Sequence, residues 1–386
     1  MAIDLYKNKN ECCGCTACMN ICPKHAIKME EDEEGFLYPK IDEKLCVECG
    51  LCKKICAFQN GYNIDNRLEK IDVYATKNKS DEVRMHSSSG GMFYEIAKYV
   101  LDRNGVVYGV IFDDRFHAKH TRANNIDDVK KMMGSKYSQS DLGKTYSEVK
   151  EDLQKGNLVL FTGTPCQVAG LNNFLQNIDK SNLILVDIIC HGTPSPKLFQ
   201  EHIKFLEKSK GKKVIWYYHR TKKNGWAHTE ETIYEGNHND YKSRLSQTWK
   251  RIFYTDLALR PTCYNCKYTN TSRPSDITIG DFWGIEQYDS KFADNKGISL
   301  VILNTKRGKE IFESISNNLI IKKKDIDEAV DKNPQLKEPR RIISNQRKKF
   351  WNDYKIKGFK YIANKYGGYN NIGKLKNLAK RMLRKI

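Results

Sequence analysis

Nine of the thirteen cysteines fall within residues 12–56, and eight of these repeat. Laying residues 12–22 over 46–56 aligns Cys12 with Cys46, Cys15 with Cys49, Cys18 with Cys52 and Cys22 with Cys56, a constant offset of 34. Each run reads Cys-x2-Cys-x2-Cys-x3-Cys, and the first closes on Pro23. Runs this tight do not pair their own thiols as disulfides without strain. They do wrap three corners of an inorganic cluster, because two-residue gaps return successive thiolates to one centre while backbone N–H groups face its sulfurs. The fourth cysteine falls on the next turn, aimed away, and serves the neighbouring cluster. The spacing therefore predicts two 4Fe-4S clusters with crossed ligation, Cys12, Cys15, Cys18 and Cys56 around one, Cys46, Cys49, Cys52 and Cys22 around the other. Cys13 breaks the spacing and is expected to pack as a spare small thiol. Zinc is the alternative, although structural zinc sites usually separate their ligand pairs by a longer loop. The second run departs in one respect, with Ala57 where the first has proline.

This duplication defines a ferredoxin-like two-cluster module over residues 1–60, its halves joined by "AIKMEEDEEGFLYPKID", whose alternation around "EEG" suits a β-hairpin. Residues 61–70 read as a linker. From residue 71, apolar strands alternate with amphipathic helices: "DVYATK", a helix over "GMFYEIAKYVLDR", "GVVYGVIF", a helical stretch from Asp141 to Lys155, "LVLFTG", a helix near Cys166, "LILVDIIC", and a helix opened by "TPSPKLFQEHIKFLEK". Such alternation predicts an α/β body around a largely parallel sheet, taken here in two parts, residues 71–150 and 151–335. After Val214 come "VIWYYHR", a helix near Trp249 to Leu257, and a β-α-β stretch from "ISLVILNT" to "LIIKKK". The fold class is thus α+β for the module, α/β for the body, with a basic helical tail over residues 336–386.

The net charge of +19 is concentrated in that tail, where residues 337–386 hold 16 Lys and Arg against Glu338 and Asp353. Its last stretch places Ile372, Leu375, Leu378, Met382 and Ile386 on one helical face and lysines and arginines on the rest. That suits an anionic membrane surface or an acidic partner, and equally a terminal helix docked on its own body. Nucleic acid is not expected, since the tail aromatics do not form base-stacking platforms. The N-terminus lacks the apolar core of a signal peptide, and no run approaches the roughly 18 apolar residues of a membrane span. With clustered cysteines that favour a reducing compartment, a cytoplasmic protein is expected, with peripheral contact to the inner face of the membrane as an option for the tail.

Four further cysteines lie in the body. Cys166 ends "LVLFTGTPC" and Cys190 ends "LILVDIIC", each just past the carboxyl end of a predicted parallel strand, where α/β sheets place ligands. Cys263 and Cys266 form "CYNC". Together they supply four thiolates, enough for a third 4Fe-4S cluster; a zinc knuckle or plain packing is the alternative for the pair.

In order along the chain, "SSSGGMF", "GVVYGVIF", "GSKYSQS", "LFTGTPCQVAGL", "CHGTPSP", "LRPTCYNCKY" and "SDITIGDFWGI" resemble the coenzyme F420 hydrogenase/dehydrogenase beta-subunit family, over about residues 70–310. The resemblance implies an FAD-containing iron–sulfur oxidoreductase that passes electrons between a low-potential donor or acceptor, the flavin and the clusters. Residue chemistry is compatible. Ser87, Ser88, Ser89, Gly90 and Gly91 precede an apolar helix and suit a dinucleotide pyrophosphate, or simple serine capping. Gly134, Ser135, Lys136, Tyr137, Ser138 and Gln139 offer a polar loop with Lys136 as a phosphate or flavin-edge cation. His191 is a candidate proton shuttle, or a loop hydrogen-bonding group, and Trp226 a candidate ring-flanking side chain, or core. Asp281 and Trp283 lie between two glycines and suit a site wall or a structural turn. No Gly-x-Gly-x-x-Gly follows a strand, so a Rossmann nicotinamide site is not evident. The expected catalytic set is Lys136, His191 and Asp281, and the expected partner a redox protein or low-potential carrier. The alternatives are an electron-relay subunit, or a reductase linked to surface-polysaccharide synthesis that works without F420.

Overall fold

The computed structural model describes residues 3–341 and 344–369. Between the cysteine runs, β1 (Ile27–Glu31) pairs antiparallel with β2 (Leu37–Ile41), the expected hairpin. Its turn holds because Asp32 accepts hydrogen bonds from the N–H groups of Glu34 and Phe36 at 3.0 and 2.9 Å, and because Gly35 takes the left-handed φ of +86°.

The later strands are β3 (Arg67–Asn78), β4 (Val106–Phe112), β5 (Ala118–Ala123), β6 (Val159–Gly163), β7 (Leu183–Ile188), β8 (Val214–Tyr218), β9 (Glu231–Tyr234), β10 (His238–Asp240), β11 (Ile277–Asp281), β12 (Ser299–Thr305) and β13 (Leu319–Lys324). Eight form one sheet, ordered β13-β3-β12-β11-β7-β6-β4-β5, and β8, β9 and β10 form a small antiparallel sheet. The pairings β4–β6, β6–β7 and β7–β11 are parallel, and the outer ones are antiparallel. Five of the eight strands therefore run in one direction. Buried on both faces, β6 and β7 are nearly continuous in apolar residues, as parallel strands must be.

Two boundaries differ from the sequence expectation. β3 begins at Arg67 and so takes up the end of the segment read as a linker, because Arg67 pairs with Thr305 of β12 and its guanidinium donates to the Arg273 carbonyl at 3.0 Å. β5, "AKHTRA", is polar enough to pass for a loop. It is an edge strand, where exposed Lys119 and Arg122 blunt further pairing. The β-α-β stretch leaves one strand-width between β12 and β13, which β3 fills antiparallel to both.

The tail's described part is docked. The helix Ser344–Lys365, broken at Gly358 with φ 70°, buries Phe350, Phe359, Ile362 and Ala363 against Leu198 and Phe199 of the helix Pro196–Lys210 and its surroundings. Arg347 pairs with Glu34 on the hairpin turn (Nη1 to Oε1, 2.7 Å). The amphipathic segment from Ile372 onward lies outside the described residues. Among those described, no helix is long and apolar enough to cross a membrane.

Candidate redox centre

The backbone repeats as the sequence does. Gly14 and Glu48, 34 residues apart, take positive φ (72° and 53°), and so do Thr16 and Gly50 (62° and 72°). Alternating left-handed residues curl each loop and turn its N–H groups inward, the geometry that faces anionic sulfur. One pocket is lined by Cys46, Cys49, Cys52 and, from the other run, Cys22. Cys49 is exposed there, and Leu45 and Val47 beside it are 48% and 57% exposed. The other four thiols lie deeper. Burial first, then Cys15 and Cys12, pushes the Cys56 thiol up to about 11, and burial together with Cys15, Cys12 and Cys56 raises Cys18 well above its ordinary value. Cys56 therefore sits with the first run and Cys22 with the second, the crossed arrangement expected from spacing. Eight thiols in two groups of four would supply the soft donor set of two cubanes.

The body cysteines meet at the carboxyl ends of β6 and β7. Cys166 sits in the first turn of the helix Pro165–Phe174, where Gln167 reaches back to the Thr164 N–H at 3.0 Å. Cys190 lies two residues past β7. Cys263 lies in the 3-10 turn Pro261–Asn265, with Cys266 just after it, and accepts a hydrogen bond from the Thr193 N–H at 3.3 Å. One cavity is lined by all four and also by Cys13. Cys13 is buried as expected, yet it is more than packing, since its thiol lies beside those of Cys15 in the module and Cys166 in the body. The module lies close because the body gives way at Gly170, where a Cβ would stand 2.9 Å from the Cys15 Sγ.

The loops expected to hold a flavin are adjacent. The Ser135 N–H and hydroxyl bond the Ser88 Oγ at 2.8 and 2.9 Å. Their side chains, however, serve the protein. Ser87 donates to the Val83 carbonyl at 2.7 Å and Ser89 to that of Ile298 at 2.8 Å, and a Cβ on Gly90 would stand 2.4 Å from the Thr76 carbonyl. A pyrophosphate here would be met by backbone N–H groups, not serine hydroxyls. Buried Ser138 belongs to the same loop, and Tyr137 accepts from the Trp249 indole at 3.1 Å while its ring stacks on Phe253. Gln139 turns to the module and donates to the Cys13 carbonyl at 3.0 Å.

The three expected catalytic side chains are spoken for. Lys136 donates to the carbonyls of Lys131, Met132, Met133 and Gly134 at 2.8–3.3 Å, which makes it the C-terminal cap of the helix Ile126–Met132 and not a cation aimed at an anion. Burial draws its pKa down to about 7, while the helix carbonyls favour the ammonium form. Lys136→Met should cost about 1–2 kcal/mol, a melting point about 2–8 °C lower by calorimetry, with cofactor content unchanged. His191 receives Arg340 at Nδ1 (2.7 Å), so its proton is on Nε2 and is donated to Asp256 (2.6 Å). Both ring nitrogens are used, and burial, with Arg340 adding to it, lowers the pKa. Asp281 ends β11 and accepts from Arg220 (3.2 Å at Oδ1) and the Trp226 indole (2.8 Å). Trp226 stacks on Trp283 at 4.8 Å.

Sequence reasoning passed over four buried basic or acidic groups. Arg260, in the quoted "LRPTC", and Arg273 line the four-cysteine cavity. Lys222 donates to the carbonyls of Ser89 and Lys296 at 2.6 and 2.5 Å and pins the serine loop from beneath. Glu230 lies with His219 and His228 (3.6 and 3.8 Å from its Oε1) in the interior, and burial pushes it up to about 8 from 4.5. The folded chain thus keeps a proton that the unfolded chain sheds above pH 4.5. Stability should fall as pH rises from about 4.5 to about 8 and then level off. Glu230→Gln stays neutral, so its melting point should gain on the parent's across that window, as thermal denaturation at pH 5 and pH 8.5 will test.

The family described as coenzyme F420 hydrogenase/dehydrogenase, beta subunit, matches by its N-terminal part over residues 73–146 and its C-terminal part over 156–329, and a 4Fe-4S dicluster domain matches residues 11–60. An uncharacterized protein of Methanocaldococcus jannaschii, MJ1349, is 24% identical over 373 residues, covering 86% of this chain and 94% of its own. An uncharacterized ferredoxin of the same organism, MJ0722, is 32% identical over 56 residues, 14% of this chain and 71% of its own. A chain from a xenon-derivatized F420-reducing NiFe hydrogenase complex of Methanosarcina barkeri is 18% identical with a TM-score of 0.46, covering 76% of this chain and 90% of that one.

Proposed function

The chain belongs to the coenzyme F420 hydrogenase/dehydrogenase beta-subunit family, with a 4Fe-4S dicluster domain ahead of it, and from that premise we propose that this iron–sulfur electron-transfer oxidoreductase carries FAD and a third cluster in its body. The observation that carries the reading is the single cavity at the ends of β6 and β7 into which Cys166, Cys190, Cys263 and Cys266 converge, one thiol away from the module through Cys13. Bound FAD would exchange electrons in pairs with a hydride donor or acceptor, and clusters would carry them singly. The chain's own part is to hold these groups close, exclude water and fix the loops. Backbone N–H groups of Ser88, Ser89 and Gly91, at the start of the helix Met92–Leu101, suit a pyrophosphate, whereas those of Ser87 and Gly90 are taken by the Arg84 carbonyl and the Ser299 hydroxyl. The rim formed by Leu45, Val47 and exposed Cys49 suits contact with a redox partner protein or subunit.

Anaerobic purification with metal, sulfide and flavin analysis tests this. The expected result is about twelve irons per chain and one FAD. Clusters without flavin would favour a relay subunit instead, and a colourless protein would leave only zinc. Cys166→Ser should remove about four irons while the module stays loaded; unchanged iron would overturn the third ligand set. Reduction of the flavin by deazaflavin, NADH, NADPH or reduced ferredoxin, tried in turn, identifies the donor.

A further inference from the structure

Arg260 is 1% exposed, yet no carboxylate among the described residues lies within ion-pair distance of it. A guanidinium does not stay buried without compensation. Its Nε donates to the Cys12 carbonyl at 2.8 Å, its Nη2 to the Leu37 carbonyl at 3.0 Å and toward the Cys12 Sγ at 3.8 Å, and its Nη1 to the Gln139 Oε1 at 3.0 Å. Its Cζ lies over the Tyr38 and Phe36 rings, 4.1 and 5.5 Å from their centroids. The neighbouring groups able to bear negative charge are the thiols Cys12 and Cys13 from the module and Cys263 from the body, together with the Tyr38 phenol, which burial keeps protonated. The module loop comes this near because Gly14 lacks a side chain, and a Cβ there would stand 2.9 Å from Nη1. The chain then runs through Pro261 into the turn that carries Cys263. One rigid cation thus touches the inner ferredoxin site on one side and lines the body cavity on the other. Among the described residues the outer site has no equivalent, since the cation lining its cavity there is Lys24, which is exposed and therefore screened.

We propose that Arg260 is the built-in counter-ion of the inner cluster, raising its reduction potential above that of the outer cluster so that electrons arriving at the surface move inward to the body. This rests on the iron–sulfur reading above. Reduction adds one negative charge to a cluster, and a fixed cation with a hydrogen bond toward sulfur, in a low-dielectric site, favours that reduced form. Arginine suits the task because it stays charged when buried and its planar fork bonds three partners at once.

The test is a redox titration of the full-length, anaerobically purified chain, followed by electron paramagnetic resonance. The inner signal is identified as the one missing in Cys56→Ser. Arg260→Gln should make the inner cluster about tenfold harder to reduce, about 59 mV for one electron, with the outer cluster unmoved, and Arg260→Lys should recover at least half of the shift. If Arg260→Gln does not load clusters, Gln139→Glu replaces it, placing a carboxylate on Nη1 without removing the arginine, and the inner potential should fall in the same selective way. An inner potential that stays put, or a shift shared equally by all clusters, overturns the proposal. Absence of labile sulfide from the parent protein would instead overturn the iron–sulfur reading itself.

Discussion

Cys56→Ser should strip the inner cluster and spare the outer one, with a loss of about four irons per chain. Cys56 belongs to the second run by sequence, but its thiol is influenced by Cys15 and Cys12, while the cavity of Cys46, Cys49 and Cys52 is completed by Cys22. Its position is set by the short helix Ala57–Asn60, which it caps, and that helix is held by Asn60 on the Lys53 carbonyl at 2.8 Å. Serine keeps the backbone and removes the soft ligand. Alkylation followed by mass spectrometry should then label Cys12, Cys15 and Cys18 while Cys46, Cys49 and Cys52 remain protected. Labelling of the second group instead would mean that each run serves its own cluster. Because the inner site lies between the module and the body, the same variant should abolish reduction of the body by a carrier acting at the outer site.

Arg273→Leu should destabilise the body by about 3–5 kcal/mol, because it leaves Asp187 buried without its partner. Asp187 in β7 is 0% exposed and Arg273 1%, and Nη2 lies 3.0 Å from Oδ2. Burial raises the Asp187 pKa, and the Arg273 charge works against that rise. The same guanidinium donates to the Tyr268 carbonyl at 2.6 Å and to the Ile188 carbonyl at 2.9 Å. It therefore ties the loop after Cys266 to the strand end before Cys190. A melting point about 6–20 °C lower is expected by calorimetry, together with loss of iron from the body. Replacing both partners with leucine should recover most of the stability, since an apolar pair leaves no uncompensated charge, but not the iron. Failure of the double variant to recover would assign the effect to the carbonyl contacts rather than to the charge.

What was legible from the chain alone is what short range enforces. The cysteine runs, the hairpin between them and the alternation of buried strands with helices follow from spacing and periodicity, where covalent reach and side-chain direction leave few choices. Crossed ligation was the expectation from the same spacing, because a fourth cysteine one turn on cannot face the same centre. Of the four body cysteines, Cys166 and Cys190 were recoverable from one rule, that parallel strand ends gather, and Cys263 and Cys266 from their own tight spacing. Side-chain roles in the flavin-like loops were not legible, since a lysine before a polar loop reads the same whether it meets a phosphate or caps a preceding helix.

The tertiary structure alone decided the electrostatics. Arg260 meets Cys12 across 248 residues and Arg273 meets Asp187 across the sheet, contacts that no local pattern signals. It also decided that His191 is held at both nitrogens, and that the start of the tail, through Arg340 and Arg347, is part of the body's packing. The reason is physical: cluster spacing is written in neighbouring residues, whereas the charges that surround a cluster come from wherever burial leaves a cation no water to turn to.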